Sequence, residues 1–136
     1  MKRLWREFWP EQPYEVHLKG KIEAEPDLTI VAEADGQIVG TVIGGWDGWW
    51  AWVYRLTVAK EYQNCGIGTE LVRRVQVRLG SRGARGVAAV VSPDNGPVCH
   101  VLEGLGYTED RHRIMGRPLK SNRPELSTDA QATYSR

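Results

Sequence analysis

Apolar and polar positions recur along this chain in two rhythms, and each rhythm predicts a different element. Over residues 68–79, Leu71, Val72, Val75 and Leu79 follow the 3.6-residue period of an amphipathic helix, with Arg74 and Arg78 on an outer stripe. Gly80 and Gly83 close that helix. Residues 49–58 alternate with period two. This puts Trp50, Trp52, Tyr54, Leu56 and Val58 on one face of a strand and Trp49, Ala51, Val53, Arg55 and Thr57 on the other. Residues 28–33 and 38–46 read as two further strands joined by the turn Ala34-Asp35-Gly36-Gln37. Asp47-Gly48 predicts a two-residue hairpin turn, because both central positions of such a turn want positive φ.

Weaker signals complete the order. Leu4, Trp5, Phe8 and Trp9 predict a short helix over residues 1–9, interrupted by Pro10 and Pro13. Tyr14, His17, Leu18 and Ile22 share one side of a second helix over 14–25, which Pro26-Asp27 ends. The apolar run 87–92 predicts a buried strand of parallel type. Asn95-Gly96-Pro97 starts a helix over 97–103, and Gly104 stops it. Residues 106–119 predict one or two terminal strands, and residues 120–136 a disordered tail. The expected architecture is α/β (α+β): a mixed, mainly antiparallel sheet flanked by helices, in one domain over residues 1–119.

Composition narrows the class. With 136 residues, 41% apolar and 26% charged, the chain excludes disorder, collagen and coiled coil as whole-chain readings. No apolar run reaches the length of a membrane span, and the charged start lacks the core of a signal peptide. Cys65 and Cys99 make neither a disulfide framework nor a zinc site, and the three histidines have no ligand spacing, so no metal and a cytoplasmic setting are expected. A net charge of +1 argues for neither nucleic acid nor an anionic membrane as partner. The even balance hides an asymmetry: residues 1–54 carry 5 basic and 9 acidic side chains, residues 55–86 carry 7 and 2. The basic middle fits either a local anion site or a solvated helix face.

Chemistry concentrates in Gln63-Asn64-Cys65-Gly66-Ile67-Gly68-Thr69, where a strand has ended and a helix begins. The free N–H groups of a first helical turn attract anions, and glycines at 66 and 68 let a phosphate approach the backbone. A tight turn needs the same glycines. The nucleotide alternatives fail, since no lysine follows Gly68 and position 71, where a third glycine would stand, is Leu71.

The pattern Q-x-x-G-x-G after the strand end Leu56-Thr57-Val58 resembles motif A of the GNAT superfamily of acyl-CoA N-acyltransferases. The likeness extends upstream through residues 30–48, closest to the bacterial YpeA-like type, and downstream to Asn95 and Gly104-Leu105-Gly106-Tyr107. It covers roughly residues 4 to 119 and implies splayed fourth and fifth family strands, with the chain entering midway through the first helix, so that the first strand is absent or the sequence starts late. It further implies acetyl-CoA as cosubstrate and an amine as acceptor. Main-chain groups of Leu56, Thr57 and Val58 would pair with pantetheine. Backbone amides of Gln63, Asn64, Cys65, Gly66, Ile67, Gly68 and Thr69 would hold the pyrophosphate, and Asn95 would contact the pantetheine arm. Arg73, Arg74 or Arg78 would lie near the adenosine phosphate or on a solvated face.

The acid and base do not carry over. The family's glutamate strand positions hold Trp52 and Tyr54, and its usual tyrosine position holds Leu102. Tyr54 is the remaining candidate, with core packing its plainer role. Trp50 and Trp52 would wall the acceptor pocket, or else cover the sheet or a contact with a second copy in a homodimer. Three readings follow: an N-acetyltransferase acting on a primary amine by direct attack in a ternary complex; an acyl-CoA-binding protein with weak or lost catalysis; and a partner protein using the tryptophan-rich hairpin.

Overall fold

The computed structural model describes residues 1, 3–5 and 14–117, so the expectations placed on residues 6–13 and 118–136 lie outside it. Residues 3–5 form a helical turn. Helix α1 (Tyr14–Ala24) leads through a 3₁₀ turn (Pro26–Leu28) into β1 (Thr29–Ala34), β2 (Gln37–Trp46) and β3 (Ala51–Val58). A second 3₁₀ turn (Lys60–Tyr62) precedes α2 (Ile67–Ser81), followed by β4 (Ala88–Ala89) and α3 (Gly96–Gly104). The sheet has the order β1-β2-β3-β4; the first two pairings are antiparallel and the last is parallel.

Each sheet face is covered. On one, Leu71, Val72, Val75 and Leu79 of α2 pack on Val42, Val53 and Leu56, as the helical period predicts. Two glycines of β2 make this contact close. A Cβ on Gly44 would lie 2.6 Å from Val75 Cγ2, and one on Gly40 would lie 3.0 Å from Leu71 Cδ1. The opposite face carries Trp5, Leu18 and Ile43, with Tyr54 against them. In α1 the expected apolar side is only partly used, because Leu18 is buried and Ile22 is exposed.

The two Asp-Gly dipeptides fold differently. Asp35 (φ 52°) and Gly36 (φ 75°) form the two-residue primed turn, with Ala34 paired to Gln37. At Asp47-Gly48 only Gly48 has positive φ, and the loop is four residues long, since Trp46 pairs with Ala51. The reason is the Asp47 carboxylate, whose Oδ1 accepts from the N–H groups of Trp49 and Trp50, each at 2.7 Å. Trp49 and Trp50 therefore belong to the turn and not to the strand.

The predicted alternation of β3 also breaks. Thr41 pairs with Thr57, but Ile43 pairs with Tyr54, so β3 carries one residue more than β2 between these rungs. Arg55 has φ 55° there. The bulge reverses parity: Leu56 and Val58 join Ala51 and Val53 on the α2 face, not Trp52 and Tyr54 as expected.

Beyond the bulge the sheet opens. Among the described residues, the predicted strand over 87–92 pairs only through Trp52↔Ala88 and Val53↔Ala89. Val87 and Val91 still pack on the core, whereas Val90 is half exposed. Among the described residues no strand follows α3, contrary to expectation. Local bonds occupy that backbone instead: Asp110 Oδ1 accepts from the N–H groups of Arg111 (2.6 Å) and His112 (3.3 Å).

Candidate functional site: the open strand edge and the glycine loop

The parallel ladder stops at Val53↔Ala89, so the β3 edge from Tyr54 through Leu56, Thr57 and Val58 has no strand partner on that side among the described residues. The loop after β3 begins where this edge ends. Gln63 Nε2 donates to the Val58 carbonyl at 2.9 Å and fastens the loop to the strand. Asn64 (φ 61°) and Gly66 (φ 81°) are both left-handed and flank the exposed Cys65. Gly66 caps α2 with no side-chain bond, and space is open where its Cβ would stand.

The consequence is a run of donors. Among the described residues, no main-chain N–H from residues 64–69 finds a hydrogen-bond acceptor; the next one, Glu70, donates to the Gly66 carbonyl at 3.0 Å. These groups coincide with the positive end of the α2 dipole, an arrangement suited to a diphosphate. At Gly68 the missing Cβ also makes room for Val101 of α3, 3.3 Å from where it would stand, so this glycine lets the two helices approach.

The other candidates divide. Asn95 caps α3, its Oδ1 accepting from Val98 N–H at 3.4 Å. Leu102 is 5% exposed and lies in the core. The Tyr107 phenol donates to Gln76 Oε1 at 3.3 Å, and burial pushes its pKa up, in keeping with a packing role. Arg74 pairs with Glu70 at 2.9 Å. Arg78 reaches the Asp27 carbonyl at 2.5 Å, about 16 Å down the helix from the glycine loop. Arg73 remains exposed.

On the other face, the Trp50 and Trp52 rings stand 6.2 Å apart, tilted by 39°. Trp50 is half exposed and Trp49 83% exposed. The half-buried Tyr54 has no hydrogen-bond partner among the described residues. Its ring lies along Gly45 of β2, where a Cβ would come within 3.3 Å of Cε1. Hydrogen bonds from the Trp50 and Trp49 N–H groups hold the nearby Asp47 carboxyl below its ordinary pKa. Sequence reasoning missed Trp5 and Thr41, which meet across 36 residues; neither periodicity nor a motif marks such a contact. Among the described residues no cluster of His, Cys, Asp or Glu could hold a metal, and no helix is long and apolar enough to cross a membrane.

Comparison with known proteins agrees with this geometry. Residues 1–107 match the family model described as Acetyltransferase (GNAT) family. The chain is 38% identical over 99 residues to Acetyltransferase plu1384 of Photorhabdus laumondii, covering 73% of this chain and 68% of that protein. It is 34% identical over 106 residues to Acetyltransferase SG1711 of Sodalis glossinidius, covering 77% and 75%. Among solved structures it resembles the aminoglycoside N-acetyltransferase AAC(6')-Iy in complex with CoA, at 25% identity and TM-score 0.66 over 85% of this chain and 84% of that one. Ard1 from Thermoplasma volcanium shares the fold at TM-score 0.69 and 17% identity, over 78% and 72%. An edge opened by a bulge, a glycine loop of free amides and these likenesses agree: the chain belongs to the GNAT family of acetyltransferases.

Proposed function

We propose that this protein transfers the acetyl group of acetyl-CoA to a primary amine, by direct attack within a ternary complex. One observation carries the reading: the free main-chain donors of residues 64–69 adjoin the unpaired edge at Leu56, Thr57 and Val58. The first suits a diphosphate, and the second suits an extended, amide-containing arm that adds like a strand. Asn95, with its oxygen engaged in the α3 cap, keeps its NH₂ for the same arm. The CoA complex of AAC(6')-Iy supports the assignment of cosubstrate.

In the reaction, the amine nitrogen bonds to the thioester carbon, the C–S bond breaks, the sulfur leaves as thiolate and the nitrogen loses a proton. Tyr54 would give the thiolate a proton; its half-buried phenol, without a hydrogen-bond partner among the described residues, supports this role. Trp50 and Trp52 offer the acceptor an aromatic wall, suited to an apolar or cationic group beside the amine. Leu102 in the core favours a second reading, a CoA-binding protein with weak catalysis, because the resemblance places the acid there.

Calorimetry with CoA and thiol release across an amine panel separate the two. Turnover on at least one amine supports the transferase; tight binding without turnover supports the second reading; no CoA binding overturns both. Gly66→Glu should abolish CoA binding, since it puts a carboxylate among the donors. Its positive φ adds a folding cost of about 1 kcal/mol. Survival of binding in that variant would show that the cradle lies elsewhere.

A further inference from the structure

The bulge beside the open edge is met by a polar chain from the far face of the sheet. Trp5 Nε1 donates to Thr41 Oγ1 at 2.7 Å, and Thr41 Oγ1 donates to the main-chain carbonyl of Arg55 at 2.9 Å. Trp5 is 2% exposed and Thr41 is fully buried. A hydroxyl that accepts one bond and donates another is fixed in direction. The carbonyl it grips belongs to the extra residue of β3, in a left-handed conformation that arginine avoids. Something must therefore hold Arg55 there, and these two bonds bear on that residue.

We infer that Thr41, braced by Trp5, is a positioning residue: by gripping the Arg55 carbonyl it holds the bulge and thereby presents the edge at Leu56, Thr57 and Val58 to acetyl-CoA. This rests on the acetyl-CoA reading above. The parity of β3 shows why the grip matters. A flat β3 would turn Leu56 and Val58 out of the α2-side core and leave no reason for the edge to part from β4 after Val53↔Ala89. The core resists that flip, so loss of the grip loosens the edge and leaves the fold standing.

The test compares CoA affinity by calorimetry with steady-state kinetics. Thr41→Val keeps the shape and removes the hydroxyl. It should weaken CoA binding about tenfold and raise the acetyl-CoA KM with the acceptor KM unmoved. Thr41→Ser restores the hydroxyl and should recover most of the loss. Trp5→Phe removes the N–H together with part of the ring and should weaken CoA binding in the same direction. The decisive variant is Arg55→Gly combined with Thr41→Val, because glycine takes φ 55° freely and needs no grip; it should recover CoA affinity. Wild-type affinity in Thr41→Val, or equal losses in both KM values, overturns the proposal while the acetyl-CoA reading stands. Absence of CoA binding by the wild-type chain overturns both. If Thr41→Val does not fold, Trp5→Phe decides: unchanged CoA affinity, or equal losses in both KM values, overturns the proposal.

Discussion

Thr41 and Thr57 stand directly opposite each other on β2 and β3, and both are buried. The Thr41 hydroxyl is bonded on both sides, whereas Thr57 Oγ1 is buried with no partner among the described residues. An unmade buried bond costs folding free energy, and an apolar group of the same shape removes that cost. Thr57→Val should therefore be neutral or stabilising by up to about 1 kcal/mol, read from the urea midpoint, and a loss beyond that would mean the hydroxyl has found a partner. Nothing in the sequence separates these two threonines. Each precedes an aliphatic residue in a strand; the difference comes from an indole that arrives from the third to fifth residues of the chain. Gln63 teaches the same lesson, for its place in the motif is readable but the bond of its side chain to the Val58 carbonyl is not. Motif positions could be read at this scale, and side-chain partners could not.

Among the elements, α2 was predicted almost to its ends, because four apolar positions at helical period meet one flat sheet face. Its closeness to β2 was not predicted. Gly44 leaves 2.6 Å between its would-be Cβ and Val75 Cγ2, in a strand where glycine otherwise costs stability. Gly44→Ala should destabilise the fold by about 1–3 kcal/mol in urea unfolding, and Val75→Ala added to it should restore part of the loss. Unchanged stability in the single variant would mean α2 can shift outward freely. The two Asp-Gly turns mark the limit of local rules. Both dipeptides favour the primed turn, yet Asp47 spends its carboxylate on two N–H groups and lengthens its loop. The strand over 87–92 was readable as an apolar run, but the length of its pairing was not. Pairing depends on where β3 bends, and β3 bends at an arginine with no local reason to be left-handed.

For the whole molecule, the charge asymmetry finds its explanation in contact between distant segments. Glu25, after α1, accepts from Lys21 at 2.6 Å and from Arg82 at 2.8 Å, and Arg82 also binds Asp27. The acidic first part of the chain thus meets the basic middle at the end of α2, where Arg78 and Arg82 bond to residues 25 and 27. These groups are partly exposed, so Arg82→Ala should cost about 1 kcal/mol or less, with the difference from wild type shrinking as salt is raised. A loss unaffected by salt would point to packing of the arginine stem instead. The sequence by itself determined the layered α/β class, the helix on the glycine loop and the motif of the GNAT family, since periodicity and backbone demands at glycine are local properties. Tertiary structure alone decided the bulge, the short parallel ladder, the open edge and the grip on Arg55. Each of these depends on a balance between residues far apart in the chain, where contacts made across the sheet outweigh the preference of the residue that bends.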